Sequence, residues 1–220
     1  MNKNLQWRDV DRKLVAILRG IKTGNVEDLV SGLIACGFRA IEIPLNSPDP
    51  LASIKLAVET AERVLPGQCL IGAGTVLTEG DVQGVKSCGA NLVVSPNVNP
   101  VVIEAAVAAG MVCLPGVFTA TEALLALEKG ANGLKIFPAS VLGPDGIRAM
   151  RAILPAGTSI CAVGGVSPEN FHDYTNSGIT EFGLGSCLFA PSMANDEVLR
   201  NGELAVRTYD SLMASIPASG

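Results

Sequence analysis

Lys135 is the residue around which chemistry can be built. It lies in Gly133-Leu-Lys-Ile-Phe-Pro-Ala-Ser140, where a strand-like apolar run carries one cation and then ends at a proline. Side chains alternate faces along a strand, so Leu134 and Ile136 share one face while Lys135 and Phe137 share the other. If both faces are covered, the ammonium is inside the protein. Ala40-Ile-Glu-Ile-Pro44 repeats the pattern with opposite charge, Glu42 standing between Ile41 and Ile43. A lysine and a glutamate aimed into a core are open to two readings. One is a structural ion pair, which stabilises little once desolvation is counted. The other is a nucleophilic amine with a proton-transfer partner. Free lysine titrates near ~10.4, which leaves about one molecule in ~2,500 as neutral amine at pH 7. Burial and a neighbouring cation both lower that value, and bringing it to about 7 costs about 4.6 kcal/mol, which a large domain can supply at a functional site.

These two residues need elements to hold them. Eight short apolar runs recur along the chain: Leu14–Leu18, Ala40–Pro44, Leu70–Thr75, Leu92–Pro96, Val112–Gly116, Gly133–Phe137, Ile160–Gly164 and Glu181–Gly185. Each is followed by a stretch with helical periodicity, and a spacing of roughly 20 to 31 residues suits one strand, one loop and one helix per unit. Eight such units predict a closed (β/α)₈ TIM barrel formed as one domain over 1–220, with 1–13 as an N-terminal extension or helix and 195–220 as a C-terminal helix and tail. An open doubly wound sheet also alternates strands and helices, but it usually needs fewer strands. Helix signals support the units. Thr119-Ala-Thr-Glu122 is a capping box with Gly130 just past its end, Asn99-Pro100 opens a helix that Gly110 closes, and Ser167-Pro168-Glu169 opens another. The remaining helices are expected near 25–36, 50–64, 79–88, 144–154 and 195–214.

In a barrel the active site gathers where the strands end at their C-terminal side. The residues at those ends form a coherent set: Arg19, Glu42, Thr75, Pro96, Lys135 and Phe137. Two cations and one anion suit an anionic substrate. The seventh and eighth runs end in Gly164-Gly165 and Gly185-Ser186, where barrels commonly bind phosphate through closely approaching backbone N–H groups. A helix starting at Ser167-Pro168 would add donors. Gly72-Ala-Gly-Thr75 lacks the third glycine and the later acidic residue of a dinucleotide fingerprint, so its glycines read as space for substrate or as tight barrel packing. His172 is the only histidine and is expected on the solvated surface of a helix. Metal-dependent aldolases rely on several imidazoles, so carbon–carbon chemistry here would fall to the lysine, with no cofactor and no metal expected.

Composition sets outer limits. The chain has 220 residues, 48% hydrophobic and only 4% aromatic, a balance typical of parallel sheets covered on both faces. A net charge of −5 and no basic cluster argue against a nucleic-acid partner. The start, Met-Asn-Lys-Asn-Leu-Gln-Trp-Arg-Asp-Val, has no apolar core of a signal peptide, and the long uncharged stretch from Ala105 to Thr121 is broken by Gly110, Pro115 and Gly116. A cytoplasmic protein without a membrane role is expected. The six cysteines are scattered singly and read as reduced, mostly buried small hydrophobes.

At these residues a family resemblance becomes specific. Ile17-Leu-Arg-Gly20, Ile41-Glu-Ile-Pro-Leu-Asn-Ser-Pro48, Gly72-Ala-Gly-Thr-Val76, Leu134-Lys-Ile-Phe-Pro138 and Ala162-Val-Gly-Gly-Val166 resemble the class I 2-keto-3-deoxy-6-phosphogluconate/4-hydroxy-2-oxoglutarate aldolase family, in order and at family spacing from about Leu14 to Gly185. The chain looks closest to the 2-dehydro-3-deoxy-6-phosphogalactonate branch. The phosphogluconate branch typically has Thr-Leu-Arg-Thr where this chain has Pro44-Leu-Asn-Ser47, and Pro-Thr-Gly-Gly where it has Ala162-Val-Gly-Gly165. The resemblance implies reversible cleavage of a phosphorylated 2-keto-3-deoxy sugar acid to pyruvate and D-glyceraldehyde 3-phosphate. It implies Lys135 as Schiff-base nucleophile, Glu42 as proton shuttle, and Arg19 and Thr75 on the pyruvyl carboxylate. Pro96 and Phe137 would wall the imine, Gly164, Gly165, Gly185 and Ser186 would hold the phosphate, and Val163 would bear on which C4 epimer is cleaved. It also implies a homotrimer. The phosphogluconate or 4-hydroxy-2-oxoglutarate activity stays open as an alternative, as does a barrel that binds a sugar phosphate without chemistry.

Overall fold

The computed structural model describes residues 5–216; the expected C-terminal tail and the first four residues of the N-terminal extension lie outside them. The strands are β1 (Leu14–Ile17), β2 (Ala40–Pro44), β3 (Leu70–Gly74), β4 (Leu92–Val94), β5 (Val112–Leu114), β6 (Gly116–Val117), β7 (Leu134–Ile136), β8 (Ile160–Val163) and β9 (Glu181–Leu184). The helices are α1 (Val26–Cys36), α2 (Pro50–Val64), α3 (Glu79–Ser87), α4 (Pro100–Ala108), α5 (Ala120–Glu128), α6 (Ala139–Arg151), α7 (Phe171–Thr175) and α8 (Asn195–Ser215). All strand pairs are parallel, in the order β5-β4-β3-β2-β1-β9-β8-β7-β6.

The two ends of that order are one strand. β5 and β6 flank Pro115, which has no N–H to give to a ladder, and its carbonyl accepts from the Lys135 N–H at 2.9 Å. β5 pairs with β4 and β6 with β7, so the ring closes through the proline. The nine segments are thus eight barrel strands, the expected (β/α)₈ architecture.

Strand alternation divides the core into two layers. Leu14, Ala16, Ile41, Ile43, Ile71, Ala73, Leu134 and Ile136 face the helices, while Val15, Ile17, Leu70, Leu92, Val112, Leu114, Cys161 and Val163 fill the barrel. By parity Glu42 and Lys135 belong to the inner layer, and both are buried, at 1% and 6% exposure. The end of the barrel where the strands begin is stoppered by the N-terminal extension. A short 3₁₀ turn at Trp7–Asp9 inserts the Trp7 ring, 1% exposed, and its Nε1 donates to Ser159 Oγ and Glu181 Oε2, both at 2.8 Å. A large apolar ring with its one polar atom satisfied suits such a plug.

Most helix signals operate as the sequence predicts. Thr119 Oγ1 accepts from the Glu122 N–H while Glu122 Oε2 accepts from the Thr119 N–H, and Asn99 Oδ1 caps α4 through the Val101 N–H. Two starts differ. α6 begins at Ala139 instead of 144, because a first turn follows β7 directly before Gly143, at φ 70° and ψ 165°, breaks the helix and Pro144 restarts it. The helix predicted from Ser167-Pro168 begins only at Phe171. Asn170 holds the preceding residues as a loop, its Oδ1 accepting from the Ser167 N–H and its Nδ2 donating to the Gly165 carbonyl. Asn side chains compete with helical backbone bonds in this way. Helix-terminal donors beside the glycine pair are therefore a corrected expectation.

Candidate active site

A cavity of about 520 Å³ opens where the strands end, lined by Arg19, Glu42, Lys135, Phe137, Val163, Gly164, Gly165, Gly185 and Ser186 among others. Residues from β1 to β9, distant in sequence, are brought together by barrel closure alone. The Lys135 Nζ lies 4.8 Å from the centroid of the Phe137 ring, which is itself part exposed at the cavity mouth. Alternation accounts for that stacking, since the two residues are neighbours on one strand face.

Burial dominates the electrostatics of both charges. Desolvation pushes the Lys135 ammonium below the ordinary lysine value, and Arg19 pushes in the same direction, against Glu42 and Cys161. Desolvation lifts the Glu42 carboxyl to about 7 despite the opposing pull of Lys135 and Arg19. Glu42 Oε2 has no hydrogen-bond partner, and no ion pair within 4.0 Å joins Glu42 to Lys135 among the described residues. A pair serving stability alone would need contact and satisfied lone pairs to offset its desolvation. This pair has neither, so burial shifts each group toward its neutral form, the lysine downward and the carboxyl up to about 7.

Arg19 is exposed and held from two sides. Its Nη1 donates to Asn46 Oδ1 at 2.6 Å and its Nη2 lies 3.4 Å from Thr75 Oγ1. Thr75 adopts φ +56°, a left-handed conformation uncommon for a β-branched residue. Thr75 thus belongs to the Arg19 end of the site without lining the cavity itself. Pro96 does not line it either; its carbonyl carbon packs 2.4 Å from where a Cβ on Gly116 would stand. Val163 is 6% exposed, with its Cγ2 2.7 Å from a Cβ built on Gly183, so its methyl groups occupy space that a glycine leaves.

Gly164 and Gly165 both have positive φ, at 92° and 75°, and turn the chain tightly against Phe137 and Ser140. No atom stands within 4 Å of a Cβ position on Gly185, so that side of the cavity is open. Ser167 and Cys187 also line the cavity. Ser167 follows the glycine pair directly and could have been found there, but it reads in sequence as a helix start. Asn46 sits in a motif with no sign of its bond to Arg19. The Gly72-Ala-Gly-Thr75 glycines are not open space for substrate. A Cβ on Gly72 would lie 1.8 Å from the Leu92 carbonyl oxygen, and one on Gly74 would lie 1.8 Å from Glu42 Oε2.

Other clefts lack this chemistry. One of about 620 Å³ at the stoppered end contains Lys13 and Glu181. There the Lys13 ammonium donates to the Trp7 carbonyl, and Glu181 accepts from Trp7 and Ser159. Lys13 and Glu181 are thus engaged in holding the plug. His172 is exposed on α7, its Nδ1 3.2 Å from Asn176 Nδ2.

Comparison with known proteins agrees with this geometry. A probable 2-dehydro-3-deoxy-6-phosphogalactonate aldolase of Rhizobium meliloti (strain 1021) is 54% identical over 203 residues, covering 92% of this chain and 94% of the relative. The 2-dehydro-3-deoxy-6-phosphogalactonate aldolase of Escherichia coli (strain K12) is 42% identical over 205 residues, covering 93% and 98%. A solved native KDPGal structure superposes with a TM-score of 0.90 at 40% identity, covering 96% of this chain and all of that one. The family model described as KDPG and KHG aldolase matches residues 8–203, and with relatives this similar along nearly the whole barrel, the chain belongs to that aldolase family.

Proposed function

We propose that this protein is a metal-independent class I aldolase that reversibly cleaves 2-dehydro-3-deoxy-6-phospho-D-galactonate to pyruvate and D-glyceraldehyde 3-phosphate. The observation that carries the proposal is the buried Lys135 amine, depressed in basicity and facing the same cavity as a partnerless Glu42 carboxyl. The substrate is taken from the Rhizobium meliloti and Escherichia coli relatives, a probable and a named 2-dehydro-3-deoxy-6-phosphogalactonate aldolase.

The steps follow from these groups. The neutral Lys135 Nζ adds to the C2 carbonyl of the substrate, and loss of water gives a protonated imine. Glu42 takes the proton of the C4 hydroxyl, the C3–C4 electrons move into the imine, and the aldehyde leaves an enamine on Lys135. Return of a proton to C3 and hydrolysis release pyruvate and the free amine. Arg19, aligned by Asn46 and Thr75, holds the carboxylate, and Phe137 covers the imine. Backbone N–H groups at Gly164, Gly165 and Gly185, with the Ser186 hydroxyl, hold the phosphate. Val163 offers methyl groups where a threonine would offer a hydroxyl to the gluconate epimer. A cytoplasmic setting fits six cysteines that form no disulfide, and no helix among the described residues is long and apolar enough to cross a membrane.

Borohydride reduction in the presence of pyruvate should add one pyruvyl mass to Lys135, read by intact mass and peptide mapping. Lys135→Arg keeps the charge but offers no neutral amine, so it should lose both adduct and cleavage. Substantial turnover in that variant would exclude the Schiff base, and a native protein with no adduct would favour a barrel that only binds sugar phosphates.

Glu42→Gln should lower kcat by roughly 10²–10⁴. The active form of Glu42 in cleavage is the carboxylate, and with its carboxyl pushed up to about 7, kcat/KM should fall as pH drops through that region. A pH–rate profile of the glutamine variant should lack this acid limb; an unchanged limb would assign the titration elsewhere.

The epimers differ at one C4 hydroxyl, and a single lost buried hydrogen bond is worth roughly 1–3 kcal/mol. Native protein should prefer the galactonate epimer, and Val163→Thr should move the kcat/KM ratio toward the gluconate one by about tenfold. Parallel assays coupled to pyruvate release measure both, and equal native values would leave only the family activity.

A homotrimer is part of the same proposal. Leu77, Val101, Phe118 and Val141 are exposed apolar residues, 37–71% accessible, in the loops or first helical turns that follow β3, β4, β6 and β7. Light scattering should give three times the 22.7 kDa chain mass; a monomer at micromolar concentration would contradict it.

A further inference from the structure

Gly74 is the last residue of β3, where its backbone pairs with Pro44 and its carbonyl accepts from the Leu45 N–H at 2.9 Å. Its φ is not in the left-handed region, unlike that of Gly164 or Gly165. Nothing in the backbone conformation therefore demands glycine, and a glycine paired in a ladder otherwise gives up a side chain that could pack. What demands it is space. The three atoms nearest to a Cβ on Gly74 are Glu42 Oε2 at 1.8 Å, Cδ at 2.4 Å and Oε1 at 2.5 Å, so the whole carboxyl group occupies the place of a side chain. Gly72 on the same strand face differs, because its Cβ would strike the main chain of Leu92.

Register gives this crowding a direction. Glu42 itself pairs with Gly72, and Gly74 lies two residues further toward the C-terminal end of the neighbouring strand. The carboxyl thus leans across the ladder and toward the cavity mouth. No hydrogen bond fixes Oε2, so contact with the bare backbone is what limits its position on that side. We infer that Gly74 is a positioning residue for the reaction, its missing side chain forming the slot in which the Glu42 carboxyl is held toward the substrate. The inference rests on Glu42 being the proton-transfer group. An alanine fills the slot and forces the carboxyl away from the β3 side, leaving Lys135 in place.

Gly74→Ala, made in the native, Glu42→Ala and Glu42→Asp backgrounds, tests this by thermal unfolding, borohydride trapping of pyruvate on Lys135, and exchange of the pyruvate methyl protons with deuterated water. In the native background Gly74→Ala should lower Tm by several degrees and slow exchange about 100-fold while Lys135 is still trapped. In the Glu42→Ala background the Tm loss should vanish, because the atoms in conflict are gone. The shorter Glu42→Asp side chain should restore exchange in the Gly74→Ala protein by tenfold or more over Gly74→Ala alone. An equal Tm loss with and without the Glu42 carboxyl, or failure of Gly74→Ala to fold even beside Glu42→Ala, overturns the inference, as does native-rate exchange in folded Gly74→Ala. Native-rate exchange in Glu42→Gln instead overturns the proton-transfer reading, so the two failures are told apart by different variants.

Discussion

Two opposite charges share the inside of a closed barrel without touching, and the rest of the structure can be read as what makes that arrangement tolerable. Burial lowers the proton affinity of Lys135 and raises that of Glu42, so both shift toward their neutral forms. A close ion pair would have opposed both shifts by favouring the charged states. Separation, combined with burial, thus leaves a lysine of lowered basicity beside a carboxyl pushed up to about 7. The energetic burden falls on the surrounding fold, and the apolar layer between strands and helices is large enough to carry it.

The barrel divides this work between its ends. Where the strands begin, Trp7 closes the interior and satisfies its own polar atom on Ser159 and Glu181, leaving Lys13 and Glu181 engaged in the plug. Where they end, the strands give way to glycine turns, a left-handed threonine and a cavity with charged walls. Stability and chemistry are thereby placed at opposite faces, as the fold generally allows. Pro115 interrupts one strand without opening the ring, since its carbonyl still pairs with the Lys135 N–H and anchors that residue in the ladder.

Anion recognition in an acidic protein must be local, and under the proposed function it falls to a few placed groups. Arg19 is the exposed cation, yet its fork is oriented by Asn46 and Thr75, so its direction is set before a ligand arrives. The glycine turns at the seventh and eighth barrel strands bring main-chain donors close and keep side chains away. Under the same proposal, selectivity between substrates with the same charges falls to small apolar surfaces such as Val163, packed over a glycine.

The sequence by itself determined the number and order of the strands, the inward direction of Lys135 and Glu42, the shared strand face of Lys135 and Phe137, and the caps of α4 and α5. All of these depend on periodicity or spacing within one segment, where a two-residue repeat or a capping box carries the information locally. Its family motifs also carried the aldolase family. Tertiary structure decided what depended on neighbours remote in the chain. Asn46 meets Arg19 across 27 positions, and Gly72 and Gly74 are filled by the main chain of β4 and by the Glu42 carboxyl, which only strand register can reveal. Asn170 outcompeted the helix start at Ser167-Pro168, because its side chain found partners on both sides of the loop. Thr75 and Pro96 do not line the cavity, since β3 ends at Gly74 and β4 at Val94 and both residues lie in the segments that follow. Local pattern fixes which face a residue presents; packing against another strand fixes what it meets there.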